Sequence, residues 1–335
     1  MELITHALTG MTLARAGANR LTPLATPALL ASALLPNIDA VFTYWGKPTY
    51  LQFHTGWTHS LLGTVTLAVL LTLPFWHWAR QRQPQTHLFL KLFLASWLGL
   101  ASHLLLDWTN SYGVRFFWPI DPTWYALDWL YIVDPWVLAV LTLGIAAPAL
   151  FRLISEEIGV RAPAAGARRG AWAAIVLLLG LCVLRGPLHA QAVEILGARM
   201  YRGRTPLRVG AFPAPVNPFV WFGVIETDST YELLRVQLAG LARGLAPEFA
   251  YYKPQPAPVV EAARTSFTGS TFLSFARFPL LRVETTPQGY RVWIRDLGFF
   301  HATRLRRNFC AYIDFDHNLQ VNNEEFRVKA EEGIP

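Results

Sequence analysis

Charge is scarce in this chain. Asp, Glu, Lys and Arg make up 15% of its 335 residues, where a soluble globular domain carries about a quarter. That shortage argues against an ordinary water-soluble fold. The 53% hydrophobic content and mean hydropathy of +0.29 point to lipid instead. Cysteine is scarcer still. Cys182 and Cys310 form neither a metal-ligand spacing nor a disulfide framework, and Cys182 lies in an apolar run, where a thiol serves as a small core residue. Internal repeats, low-complexity tracts and DNA-reading patterns such as helix-turn-helix are also missing. The net charge of +7 therefore does not mark a nucleic-acid binder, and no such partner is expected. Its basic residues stand mostly in short loops between apolar runs, where they set topology. The opening MELITHALTG lacks the basic segment of a cleaved signal peptide, so it is expected to be retained.

What is present is a series of apolar runs near the length needed to cross ~30 Å of hydrocarbon. Ser60–Ala79, Leu88–Leu106, Leu130–Phe151 and the shorter Ala171–Leu184 predict about four spans. Ile4–Leu13 and Leu24–Leu35, separated by Asn19–Pro23, read as an N-terminal helical hairpin. The fold class expected is thus an α-helical membrane bundle over residues 1–190. A mostly β extramembrane domain is expected over 191–335, where prolines and charges become frequent. Arg282–Glu284, Gly289–Arg295 and Phe309–Phe315 read as strands, with a turn at Pro287-Gln288-Gly289 and a helix at Tyr231–Leu241.

Lysines and arginines give an orientation. Arg15 and Arg20, Arg80, Arg82 and Lys91, and Arg152, Arg161, Arg168 and Arg169 form three clusters, cytoplasmic by the positive-inside rule. Residues 36–59, 103–130 and those after about 188 then share the opposite face. The aromatic run from Trp108 to Tyr131 suits an interfacial belt there.

Histidines and aspartates fall on that same face. His103 and Asp107, at i and i+4, share one side of a helix, and both sit in apolar sequence where an ionisable group is costly. His54 and His59 are five apart, which one continuous helix would leave on different faces. Gly56 breaks the chain between them, and Thr58 is expected to cap the next helix with His59 in its first turn. Asp39 follows Pro36-Asn37, and His6 heads a helix running away from this face. Six candidate ligands (His6, Asp39, His54, His59, His103 and Asp107) thus converge at one depth. Imidazole and carboxylate without thiolate suit zinc first, then manganese, iron or nickel, as one ion or as two sharing a water. Asp128 and Asp134 are candidates for outer support of the site. His77 and His87 lie at the other end, and His189, His301 and His317 have no recommending pattern.

Thr5-His6, LPNID ending at Asp39, HTGWTHS at 54–60, and His103, Asp107 and Gly113 resemble, in this order, the motifs of the YdjM-type family. Its members are described as bacterial inner-membrane metal-dependent hydrolases, and also as LexA-regulated. The resemblance covers roughly residues 1–150 and implies a membrane-bound hydrolase with these residues as its metal site. Relatives commonly carry Asp where this chain has Asn37, and Arg where it has Thr55.

The function expected is hydrolysis of a lipid-linked or amphiphilic substrate, a phosphoester first, by metal-activated water at the outer face of the inner membrane. His6, His59 and Asp107 are the expected catalytic groups, and the lipid bilayer is the expected partner. Two non-catalytic alternatives remain, a structural metal site and a metal transporter or sensor. Bare apolar cytoplasmic halves such as LAVLLTL weigh against transport.

Overall fold

The structure, a computed structural model, describes residues 1–82, 85–159, 166–239, 244–299 and 310–327. Its contacts divide it into two units, Met1–Ala40 with Thr55–Pro187, and Val41–His54 with Leu188–Pro335.

The first unit is helical. α1 (Leu3–Ala16) and α2 (Ala25–Leu34) form the N-terminal hairpin. Beyond α2 the chain tightens into 3-10 turns over Leu35–Trp45. Pro36 removes one donor there without ending the helical path. A short helix, α3 (Lys47–Phe53), belongs to the second unit. Then come α4 (Leu61–Arg82), α5 (Leu88–Thr109), α6 (Pro135–Glu157) and α7 (Gly166–Gly197). Among the described residues, five stretches are long and apolar enough to cross a membrane: Ala25–Trp45 and the four helices α4 to α7. The second arm of the hairpin is therefore longer than the sequence suggested. α6 starts at Pro135, not at Leu130, because the Asp134 carboxylate accepts hydrogen bonds from the Trp136 and Val137 amides and Pro135 occupies the first turn.

The outer surface of this unit is apolar, unlike that of a water-soluble bundle. Leu61, Leu62, Val65, Val69, Leu70 and Leu73 on α4 are exposed, as are Val176, Leu177, Leu179, Val183 and Leu184 on α7. Inside lie Thr5, Thr9, Thr12, Ser32, Thr64, Thr72 and Ser96. Several of their hydroxyls bond carbonyls of their own helix, as Thr9 does to Thr5 and Thr12 to Leu8. Exposed leucine stripes would oppose solubility in water, and they cost nothing against acyl chains. Small hydroxyl residues let helices approach closely in lipid.

Two glycines carry that approach to its limit. A Cβ on Gly99 of α5 would lie 2.0 Å from Ser32 Oγ and 2.8 Å from the Leu29 carbonyl oxygen on α2. A Cβ on Gly63 of α4 would lie 1.6 Å from the Trp57 carbonyl oxygen. The first contact seats α5 on α2; the second holds the 56–60 turn against α4.

In the second unit, β1 (Arg208–Pro213), β2 (Val220–Glu226), β3 (Thr230–Gln237) and β4 (Gly244–Tyr252) form one antiparallel sheet in sequence order. α8 (Pro258–Thr265) and α9 (Phe267–Phe275) follow. A second such sheet contains β5 (Pro279–Thr286), β6 (Gly289–Asp296), β7 (Cys310–Phe315) and β8 (Val321–Arg327). Both domain classes thus match the sequence reading. The helix expected at Tyr231–Leu241 is a correction: this stretch is β3, and Leu241 lies outside the described residues. Tyr231, Leu233 and Val236 bury their side chains in a strand paired on both edges, a pairing that overrides helix propensity. At the end of β6 the buried Asp296 carboxylate accepts from the amides of Arg277, Phe278 and Gly298, and burial raises its pKa.

Gly99→Val should lower the stability of the detergent-solubilised protein by about 1–3 kcal/mol or more. The new branch meets backbone of α2 that cannot rotate away. A thermal melt equal to wild type would contradict this packing.

Candidate metal centre

His6 lies in the first turns of α1, Asp39 in the 3-10 segment after α2, His59 in a 3-10 turn (Trp57–His59) before α4, and His103 and Asp107 near the end of α5. Four separate pieces of chain thus meet at one end of the helical unit. His6, His59 and His103 are 1% exposed and Asp107 6%. His6, His103 and Asp107 each offer a ligand atom within 4.8 Å of the others.

The hydrogen bonds settle which imidazole nitrogen carries the proton. His103 Nδ1 lies 2.7 Å from the Ala33 carbonyl oxygen, an acceptor only, so it must be the donor. Thr58 Oγ1 donates to Asp39 Oδ2 at 2.9 Å and accepts from His59 Nδ1 at 2.9 Å, with Asp39 Oδ2 itself 3.3 Å from that nitrogen. Each ring, when neutral, therefore presents an unprotonated Nε2, and these two atoms lie 3.1 Å apart. Asp107 Oδ2 is 3.2 Å from the first and 3.5 Å from the second. Three acceptors converge, which only a proton or a cation between them makes favourable.

His6 completes the arrangement. Its ring stacks on that of His103 with centroids 3.6 Å apart. Nε2 is 3.3 Å from Asp107 Oδ1, yet neither ring nitrogen makes a hydrogen bond, both being buried. The Met1 ammonium and the Asn110 amide also meet Asp107 Oδ1, Asn110 at 3.3 Å. The donor set fits a divalent metal: imidazoles with their far nitrogens fixed by a carbonyl or carboxylate, and one carboxylate among them.

Asp39 points its Oδ2 at the Thr55 amide, Thr58 and His59, behind the imidazole rather than among the bare nitrogens. His54 ends α3 in the second unit, where its ring stacks on Tyr50. The expected cap is corrected. Thr58 turns to Asp39, Ser60 Oγ accepts from the Gly63 amide in its place, and His59 sits ahead of α4. Thr55 adopts a left-handed φ of 52°. Asn37 Nδ2 and Thr55 Oγ1 are both buried without a hydrogen-bond partner.

Of the outer candidates, Asp134 caps α6 and faces Arg185 Nη2 of α7 at 3.3 Å, both fully buried. Asp128 is buried at a left-handed φ of 57°. His77 and His87 lie at the far ends of α4 and α5, and His301 and Arg161 fall outside the described residues. Sequence reasoning missed three residues. Asn110 is one turn past Asp107. Arg185 is a charge within the apolar stretch of α7, a signal that was legible. Arg115 is buried over Trp124 at 4.8 Å and donates to the Thr55 carbonyl at 3.4 Å; nothing in its sequence neighbourhood announced it.

The profile of the YdjM inner membrane protein family matches residues 1–191. This chain belongs to that family. Its location is accordingly the inner membrane, as the five candidate spans also indicate. A curated relative, the uncharacterized protein YfhP of Bacillus subtilis (strain 168), is 28% identical over 110 residues, 33% of this chain and 32% of that protein. The match therefore spans about a third of the relative's length. No solved structure matches the chain.

Burial pushes His59 down to about 4, offset in part by its bond to Asp39. The folded value lies below the unfolded one, so protons favour the unfolded chain and stability falls as pH drops from about 6.5 toward 4. With metal chelated, His59→Gln should flatten that part of the pH–stability profile. Melting temperatures across this range that fall as steeply in the variant as in wild type would refute it.

Proposed function

We propose that this YdjM-family protein is a membrane-bound metal-dependent hydrolase in which His6, His59, His103 and Asp107 hold a divalent cation, zinc in the first instance. The observation that carries this reading is the convergence of bare Nε2 atoms and a carboxylate on one buried point, beside a histidine whose nitrogens have no hydrogen bond. A divalent ion bound there would bring a coordinated water toward neutral pKa and polarise a phosphoryl or acyl oxygen.

The chain's own groups have distinct tasks. Ala33 fixes the tautomer of His103, and Asp39 with Thr58 fixes that of His59, so both present lone pairs without rotamer freedom. In this reading Asp39 orients a ligand instead of serving as one. Asp107 turns one oxygen to His6 and the other to His59 and His103, so it can balance the ion and hold a proton during turnover. His6, bonded to neither side, is free to ligate or to transfer a proton.

Placement at the end of apolar helices favours a lipid-linked phosphoester as substrate, and the distribution of lysine and arginine favours the outer face for the site and the C-terminal domain. A second reading, a structural ion, draws on the near-complete burial of the four groups, since structural sites are closed.

Elemental analysis of purified protein should find one or two equivalents of zinc, manganese or iron in wild type and none in His103→Ala/Asp107→Ala. The same variant should lose turnover of lipid phosphoesters. Metal without turnover would favour the structural ion, and a folded wild type that binds no added metal would end both readings. Asp39→Asn should still bind the ion, but about 10–100-fold more weakly, a shift read by competition with a chelating dye. Complete loss would instead make Asp39 a ligand.

A further inference from the structure

At the end of the helical unit remote from His59 and His103, the last turns of α4 and the first of α5 enclose a cavity of about 620 Å³ lined by Trp76, Arg80, Gln85, Thr86, His87 and the Leu88–Phe89 edge. We propose that this cavity binds the headgroup of an anionic phospholipid. The inference is independent of the metal centre.

Four observations carry it. The first is position. The span of α4 ends at Arg82 and that of α5 begins at Leu88, so the cavity opens at headgroup level.

The second is charge. Arg80 lines the cavity, Arg82 ends the same helix and Lys91 lies one turn into α5, and no Asp or Glu occurs in the sequence between Asp39 and Asp107. A surface whose local sequence offers cations and no competing carboxylate attracts an anion and discriminates against a zwitterion.

The third is geometry. Arg80 stacks over Trp76 at 4.7 Å and Arg82 over Trp78 at 4.5 Å, each one helical turn past its ring. A guanidinium stacked on a ring keeps its in-plane N–H edge for phosphate oxygens, and the stacked pair Trp76 and Arg80 belongs to the cavity wall.

The fourth is support. Trp76 packs with Phe75 on the core formed by Ala14, Ala25, Leu88 and Leu92, and meets Phe89 edge-on at 6.0 Å. The wall is therefore built into the helical unit. Leu73, Leu90 and Leu94, exposed toward the middle of the spans, extend from it as an acyl-chain surface.

The test uses the full-length protein in phosphatidylcholine vesicles containing brominated phosphatidylglycerol or, in parallel, brominated phosphatidylcholine. Bromine quenches tryptophan on contact, and the difference between wild type and Trp76→Phe isolates the Trp76 signal. That signal should be quenched at a several-fold lower fraction of phosphatidylglycerol than of phosphatidylcholine. Arg80→Gln with Arg82→Gln should reduce the preference by about fivefold per arginine, while quenching of the other tryptophans by phosphatidylcholine stays as in wild type. Arg80→Lys, which keeps the charge and is conservative for folding, should retain part of it. Raised salt should weaken it in wild type. Equal quenching by the two lipids, or a preference untouched in the double variant, would overturn the proposal. Displacement of the brominated lipid by inorganic phosphate would overturn it too, because the site would then take a soluble anion.

Discussion

The seating of α5 on α2 is the contact on which the rest of the site depends. Gly99 has no side chain where Ser32 and the Leu29 carbonyl come against α5. One turn later on the same helix, His103 reaches the Ala33 carbonyl at 2.7 Å. A helix held even one methyl group farther away would lengthen that bond, free the imidazole to rotate, and leave its tautomer undetermined. Asp107 follows by another turn, so helix geometry places it on the same face as His103. His59 and His6 arrive from other segments and meet a pair that α2 and α5 have already fixed.

Such close seating is possible because the unit is built for lipid. Bulky apolar residues can face outward when the surrounding solvent is itself apolar. Between the helices, glycine, alanine, serine and threonine are buried alongside leucines such as Leu29, Leu92 and Leu100. That interior then tolerates polar groups whose hydrogen bonds are locally satisfied. The cluster of His6, His103 and Asp107, which could hold a metal ion, extends the same arrangement at the end of the bundle, where the side chains are imidazoles and a carboxylate in place of hydroxyls.

Much of this was legible in the sequence, and the exceptions have physical causes. His103 and Asp107 were readable because four residues make one turn, whatever the tertiary structure. The β character of the second domain was readable from alternation and proline, but Tyr231–Leu241 was not, since pairing on two edges decided its conformation. The turn at 54–60 was readable as a break at Gly56. The partner of each hydroxyl was not: Thr58 and Ser60 are both plausible caps by sequence, and the position of Asp39, set through tertiary contacts, draws Thr58 away. Arg115 stayed hidden for the same reason, as its relation to Thr55 crosses 60 residues.

The orientation of Asp39 sharpens what the histidines alone leave open. A carboxylate that only sought a positive partner would gain by approaching either ring nitrogen of His59. This one takes Nδ1 together with the Thr55 amide and the Thr58 hydroxyl, three donors that hold it in place. The lone pair of Nε2 is thereby directed at a point already faced by His103 and Asp107. Burying a second carboxylate to fix one tautomer is a cost, and a bundle needing only a hydrogen-bonded His–Asp pair would have no use for it. A site that must present several bare nitrogens to one cation would.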